Sequence, residues 1–476
     1  MPSTPDSGRT DTNTDTENRQ PTSESEASPT ESEATSTEQA ETTESALSRR
    51  RLLAAAGGSL LVGGTGGYLV GARPFAPPDC DALPVAVEDD EWSFPNHDRR
   101  HTATAPASTA PESLTEEWRV SWGVSNHGPP AVANDVAFVA AVEGNDRESL
   151  FAFDLRTGER AWRVPFPGDR EARPVVAAGE SVYYHTNIED RGRTALALGM
   201  VDGRERWSDS IGDLHGYAPP LGLADGKVLL DDPTVREDGQ TVVALDSETG
   251  EQCWQTQLDV DSLTPFPAVK GDTAYYVSRG GGEDASGSLV ALNAATGAVT
   301  WETTIPKMAD GPPVLGDDFA YVTIFDGPLV AVSLESGEEV WRHEQDTLFG
   351  SGDPGHQYAQ PSYELGALTS SALVARLEAY TTASDRIRAF DPETGDVLWT
   401  RVAGGTDTWV TPPTAAGEAV FVAENREHDS NRLLRLDART GTVRDSTAFE
   451  GWTHHGPVCT EAGALFVTGN GVVFYS

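Results

Sequence analysis

Asp154-Leu-Arg-Thr157-Gly158-Glu-Arg-Ala-Trp162 is the stretch on which the fold turns. It recurs as Asp246-Ser-Glu-Thr249-Gly250-Glu-Gln-Cys-Trp254 and as Asp391-Pro-Glu-Thr394-Gly395-Asp-Val-Leu-Trp399, with weaker copies ending at Trp207, Trp301 and Trp341. Taking Trp118 as a further register mark, the tryptophans fall at gaps of 44, 45, 47, 47, 40 and 58 residues up to Trp399. A last copy, Asp437 to Gly441, places Arg444 where tryptophan is expected. A period of this length means that one supersecondary unit has been stacked many times.

Each gap holds several short β-type runs. In the first, Pro129–Ala133, Val136–Ala140, Leu150–Asp154 and Arg160–Val164 are bounded by Asn134-Asp135, Gly144-Asn145 and Thr157-Gly158. Alternating apolar residues between such turns read as hairpin strands, and four per repeat fits a propeller blade. The turn has a mechanical cause: Gly tolerates the positive φ that a bulged hairpin needs, and Asp accepts bonds from the backbone N–H groups that follow it. The tryptophan then lands on the next strand, where its ring covers the seam between blades. Burial contributes roughly 2–3 kcal/mol per copy before losses. Trp118, Trp162, Trp207, Trp254, Trp301, Trp341 and Trp399 are therefore read as structural docking residues.

Blades starting at Pro130, Pro174, Pro220, Pro267, Pro313, Pro361, Pro413 and Pro457 make eight, or seven if the region from Leu348 to Ala372 is an insertion. The chain ends with three strands of a blade, and Glu116 to Trp122 supplies the missing fourth. Pairing the two ends closes the ring and removes two strand edges that invite aggregation. The expectation is an all-β, eight-bladed β-propeller of four-stranded antiparallel blades, preceded by an acidic tail.

The run Asp-x-x-Thr-Gly-x-x-x-Trp resembles the tryptophan-docking motif of the pyrroloquinoline-quinone-type (PQQ-like) propeller repeat family. Trp92-Ser-Phe-Pro-Asn-His-Asp98-Arg-Arg-His-Thr102 looks like the strap preceding the first blade in such proteins. The resemblance covers about Glu91 to Ser476 and implies the propeller fold. It leaves two functional branches: quinoprotein alcohol or sugar dehydrogenases, and non-enzymatic relatives similar to the propeller lipoprotein of the bacterial outer-membrane assembly machine. The dehydrogenase branch carries adjacent cysteines over the quinone, a calcium and an aspartate base. This chain has only Cys80, Cys253 and Cys459, none adjacent, so the resemblance leans to the non-enzymatic branch. Pyrroloquinoline quinone and calcium stand as the cofactors of the alternative, with no ligand set assigned and no catalytic residue named.

The formal net charge is −41. Residues 1–48 hold 11 acidic and 2 basic residues, leaving 64 against 32 on the rest, so the excess is not confined to the tail. Lysine occurs only at 227, 270 and 307. Such a surface repels itself in dilute buffer and is tolerated when molar salt screens it, which points to a halophilic archaeon-type organism. With no basic stripe to meet phosphates, nucleic acid is not an expected partner.

Residues 1–47 are rich in Ser, Thr, Glu and Pro and read as a disordered acidic tail. Ser48-Arg49-Arg50-Arg51 followed by the uncharged stretch Leu52 to Ala72 looks like a twin-arginine export signal or a membrane anchor over 48–72. Residues 73–90 form a linker, in which Cys80 is a weak candidate for lipidation, and 91–476 the propeller. The expected location is extracytoplasmic and membrane-anchored.

A propeller exposes loops at two faces around an axial channel lined by the first strand of each blade, and binding sits where several blades converge. The residues entering those strands are the candidate ligand site: His127, His215, Tyr217, Asp310, Trp409, His454 and His455, with Arg173, Phe266 and His356 nearby. Imidazoles from separate blades suit a metal ion, making a metal-binding module a third reading. A polar peptide or small-ligand pocket, and plain packing of the channel, are the other two. The Gly280-Gly281-Gly282 cluster has no helix after it and reads as a hairpin tip rather than a phosphate cradle.

Overall fold

The computed structural model describes residues 80, 82, 84–88, 91–111, 113–144, 147–166, 171–188, 191–210, 221–236, 239–264, 266–279, 286–325, 327–344, 362–378, 385–404, 408–426 and 430–476. The tail, the twin-arginine segment and the glycine cluster at 280–282 lie outside these residues. Short alternating runs between Gly and Asx turns fold into eight antiparallel blades. Blade 1 runs Ala131–Ala133, Val136–Glu143, Arg147–Asp154 and Arg160–Phe166 from the axis outward. Blades 2 to 7 repeat the pattern over residues 176–210, 222–258, 268–305, 314–343, 362–402 and 414–449. In blade 8, Val458–Thr460, Gly463–Thr468 and Gly471–Tyr475 are completed by Glu116–Ser121, which pairs antiparallel with the C-terminal strand. The first and last strands of the ring thus share one sheet. The Ser362–Leu368 strand opens blade 6, so the count is eight rather than seven.

The repeat motif acts across seams. In blades 1 to 6 each tryptophan sits opposite an alanine of the neighbouring strand, next to a one-residue register slip, as in Ala152↔Trp162 and Ala244↔Trp254. Its ring leans out of its own blade onto the turn of the next. A Cβ placed on Gly158, Gly203, Gly250, Gly297, Gly337, Gly395 or Gly441 would lie 2.5–3.0 Å from the indole of the preceding blade. These glycines also hold φ between 64° and 74°. Glycine is therefore required twice over, for the left-handed backbone and for the room it leaves. The indole N–H groups of Trp118, Trp162, Trp207, Trp254, Trp341 and Trp399 donate at 2.7–3.1 Å to carbonyls of that next turn, so the buried polar edge is satisfied.

One seam differs, and the sequence reading needs correcting there. Strand pairing puts Leu436 opposite Val443 and Arg435 opposite Asp445, which makes Arg444 the bulged residue and Asp445 the occupant of the tryptophan register. The reason lies in blade 8. Its fourth strand, Glu116–Ser121, comes from far earlier in the chain, so no hairpin turn joins it to the third, and Ser476 N–H donates to Thr115 O at 3.0 Å instead. With no glycine turn to receive it, an indole at 445 would have no seat. Edge-to-face packing of Phe449 on Phe466, centroids 4.9 Å apart, fills part of this seam.

The segment from Trp92 to Ala105 is a strap across one end of the axis. Its carbonyls at Trp92, Ser93, Arg99, Arg100, Thr102 and Ala103 accept from Val132, Ala177, Val269, Leu315, Leu368 and Ala415, at or beside the first strands of blades 1, 2, 4, 5, 6 and 7. Thr104–Ala105 then lies parallel to Ala415–Ala416. His97, His101 and Ala103 hold positive φ (72°, 62° and 46°) to follow this path. Trp92 and Phe94 pin the strap, at 1% and 2% exposed.

The docking geometry sets an expected difference between two glycines. Gly297→Ala forces a methyl into the Trp254 ring, whereas Gly271 (φ 57°) has nothing within 4 Å of its added Cβ. Both substitutions incur a left-handed strain of about 1–2 kcal/mol, and only Gly297→Ala adds an overpacking cost of about 1–3 kcal/mol. Denaturant unfolding at molar salt should rank Gly297→Ala clearly below Gly271→Ala.

Candidate functional site

The strap covers the turn-side end of the axis, and among the described residues a cavity lies on the other side of it. Trp92, Asn96 and Ala103 of the strap line the bottom of the same cavity, of about 590 Å³, that carries Asp310, Trp409, His454 and His455 on its walls. Four of the seven expected site residues are thus brought together. His127 lies just behind them, its ring 5.9 Å from that of His455. His215 and Tyr217 lie outside the described residues, as does His356. Phe266 also borders the cavity.

The wall on the blade 6 side is organised by Arg376, which reading for strand starts did not find. Its guanidinium is buried and meets three carboxylates: Asp385 at 3.1 Å, Glu364 at 3.0 Å and Glu378 at 3.3 Å. Its planar face lies 4.7 Å from the centre of the Trp409 ring, a cation–π arrangement that fixes the indole at the rim. Asp385, itself buried, also accepts the Val410 N–H at 3.0 Å and so couples blades 6 and 7. The signal was present: in Leu373-Val-Ala-Arg376-Leu-Glu378 a cation interrupts the apolar run of residues 373–377.

On the blade 8 side the connection 450–457 is clamped by Asn425, whose amide donates to Thr453 O at 2.9 Å and accepts the Thr453 N–H at 3.1 Å. This clamp sets the following two histidines. His454 points outward beside Trp409, ring centres 5.1 Å apart. His455 turns inward toward His127, whose Nδ1 lies 3.3 Å from Gly128 O. Among the described residues no trio of His, Cys, Asp or Glu donor atoms converges at this mouth within metal-binding reach.

Charge in the recess is unbalanced. Among the cavity-lining side chains described, Asp310, Glu364 and Glu378 face Arg376 as the one guanidinium. About half of the Glu364 side-chain surface is open (51%), and the residue lines the recess. Loss of solvent raises its carboxyl above the ordinary range; Arg376 opposes the rise, while Glu378 and Asp310 add to it. Burial lowers His455 to about 3, with the neighbouring His127 and His454 adding to the shift. His127 falls to about 4, again chiefly by burial. His454 is lowered by burial and by the Arg376 charge.

The fold and the site define a propeller of the PQQ-like repeat class with a recess on its axis. The chain belongs to the family described as outer membrane protein assembly factor BamB, whose model matches residues 107–232, 234–377 and 383–475. It is 27% identical over 222 residues to the outer membrane protein assembly factor BamB of Yersinia pestis, covering 42% of this chain and 50% of that protein. It is 22% identical to the polyvinylalcohol dehydrogenase of a Sphingopyxis species, over 70% of this chain and 62% of the enzyme. The chain thus spans half to about three-fifths of these curated relatives. Among solved structures, the quinohemoprotein alcohol dehydrogenase of Comamonas testosteroni superposes with a TM-score of 0.57 at 16% identity, covering 82% of this chain and 80% of that one. That likeness establishes the fold alone.

The buried histidines set a pH dependence. His127 and His455 stay neutral in the folded protein well below the ordinary histidine pKa of about 6.5, whereas the unfolded chain protonates near it. Between those values the unfolded state binds more protons, so stability is complete above about pH 6.5 and falls as pH drops toward 4, by at most about 1.4 kcal/mol per pH unit per histidine. Urea midpoints measured from pH 7 to 5 at molar salt should decline for the native protein and decline less for His455→Gln.

Proposed function

We propose that the protein is an exported, membrane-tethered scaffold whose open mouth binds a protein or peptide partner, in a halophilic archaeon-type organism. The observation that carries this reading is the recess itself: closed below by the strap, rimmed by Trp409 and His454, and walled by more carboxylates than cations. Such a lining suits a basic side chain of a partner, which would meet Glu364 and Asp310 beside an aromatic edge. Membership in the BamB family supports a scaffold role, since the relatives of that name are assembly factors. The Cys80–Cys253 disulfide supports an oxidising compartment outside the cytoplasm. It also ties up the Cys80 sulfur, which removes lipidation at that position from the tethering scheme and leaves the apolar segment at 52–72 as the tether.

A quinone-dependent dehydrogenase is the second reading, favoured by the similarity to the polyvinylalcohol dehydrogenase. The described wall does not fit the cofactor. Pyrroloquinoline quinone is a polyanion, and here it would face Asp310, Glu364 and Glu378 with Arg376 already ion-paired. Cys253 is bonded to Cys80, and Cys459 is buried. Dye-linked oxidation with added quinone and calcium at high salt is expected to give no turnover.

Site-specific photo-crosslinking in native membranes tests the scaffold reading. A crosslinker at Trp409 or His454 should capture one discrete partner, and Glu364→Gln in the same chain should reduce that capture severalfold. A crosslinker at Val201, exposed on the turn face of blade 2, should not capture it. Equal capture from both faces, or none from the mouth, would contradict the proposal.

A further inference from the structure

We propose that Cys80, Cys253 and Asp246 form a redox-dependent metal site, far from the channel mouth, that binds a zinc-like divalent ion when the disulfide is reduced. The disulfide links the segment ahead of the strap to the outer strand of blade 3, across 173 residues of sequence. Cys253 is 4% exposed and precedes the docking residue Trp254; Cys80 packs half-buried against the same apolar cluster. The third partner is the carboxylate of the blade 3 repeat turn, and one ligand atom from each of the three residues lies within 4.8 Å of the others.

The two oxygens of Asp246 are used differently. Oδ1 does the work of the turn, accepting the N–H groups of Glu248 and Thr249 at 2.9 Å each. Oδ2 is directed toward the sulfurs, 3.9 Å from Cys80 Sγ. In blade 7 the equivalent oxygen of Asp437 is occupied by Arg444 at 2.9 Å. A disulfide offers a carboxylate no proton to accept, so this placement gains nothing in the oxidised state. It becomes useful once the bond opens, because two thiolates and a carboxylate are a ligand set for zinc, with water completing a tetrahedron.

The chemistry balances with a dithiol as reductant. The dithiol gives two electrons and two protons to the S–S bond, leaving two thiols here and a disulfide in the reductant. Metal binding then displaces the two thiol protons, and affinity accordingly rises with pH. Cys80 is held to blade 3 in either state, by a covalent bond or through the ion, so the attachment of the strap's leading segment survives a change of redox conditions.

The test uses the full chain at high salt, reduced with dithiothreitol, desalted without oxygen and exposed to zinc or to cobalt(II) alone. The reduced protein is expected to retain one zinc per chain, the oxidised protein none, and the cobalt form to show thiolate-to-cobalt charge transfer. Cys80→Ser should lose the metal. Asp246→Asn should bind about tenfold more weakly or worse, on the scale by which ligand environments tune metal sites. That variant keeps the turn, since blade 4 uses Asn293, whose Oδ1 accepts the Thr296 N–H at 3.0 Å. No zinc on the reduced native chain, no charge-transfer band, or undiminished zinc in Cys80→Ser would overturn the site; undiminished affinity in Asp246→Asn would overturn the three-ligand assignment.

Discussion

An indole laid on a glycine, with its N–H bonded to a carbonyl of the same turn, is the contact that makes eight separate sheets one body. A four-stranded blade buries little by itself, and each has two faces to cover. The tryptophan of one blade reaches the turn of the next at seven of the eight seams, so blades 1 to 6 each both give and receive a ring. The receiving position must be left-handed and must lack a side chain, which only glycine satisfies. This explains why Thr-Gly and Trp recur together in the sequence while the strands between them vary.

The arrangement has to end somewhere, and where it ends shapes the rest. Blade 8 takes its fourth strand from Glu116–Ser121, distant in sequence from the other three, and has no hairpin turn to receive a ring, which accounts for Asp445 in the tryptophan register. Closure there is carried by the pairing of Glu116–Ser121 with the C-terminal strand. The approach to that strand is the strap, which must cross the turn face to reach blade 8 and in doing so covers one end of the channel. The covering of that end is therefore a consequence of how the ring is closed. The candidate site lies in the recess beyond it, on loops that the repeat leaves unconstrained.

The fold was legible because its determinants are side chains in a fixed local order: Asp, Gly and Trp at constant offsets. The mouth was half legible. Asp310, Trp409, His454 and His455 were identifiable from topology, since residues entering first strands must face the axis. Arg376 and Asp385 were missed because they sit at the second strand of blade 6 and just ahead of its third, not at a strand entering the channel, although a cation within an apolar run hinted at the first. The course of the strap could not be read in detail, since it is held by main-chain carbonyls, which leave no residue pattern. Nor could the Cys80–Cys253 pairing, which spans 173 residues. The Arg444 assignment erred by one residue: eight residues on from the turn aspartate, as from Asp154 to Trp162, the position is Asp445.

The central claim is that rings seated across seams hold the blades together, and hydrogen exchange at molar salt tests it most directly. The amides of Gly158, Gly203, Gly250, Gly297, Gly337, Gly395 and Gly441 each donate back to a carbonyl within their own turn at 2.8–2.9 Å, at the edge of the molecule. If indoles cover them, these seven amides exchange as slowly as those of interior strands. Exchange at the rate of ordinary surface hairpins would mean that the rings do not rest there, and the account of the fold would fail with them.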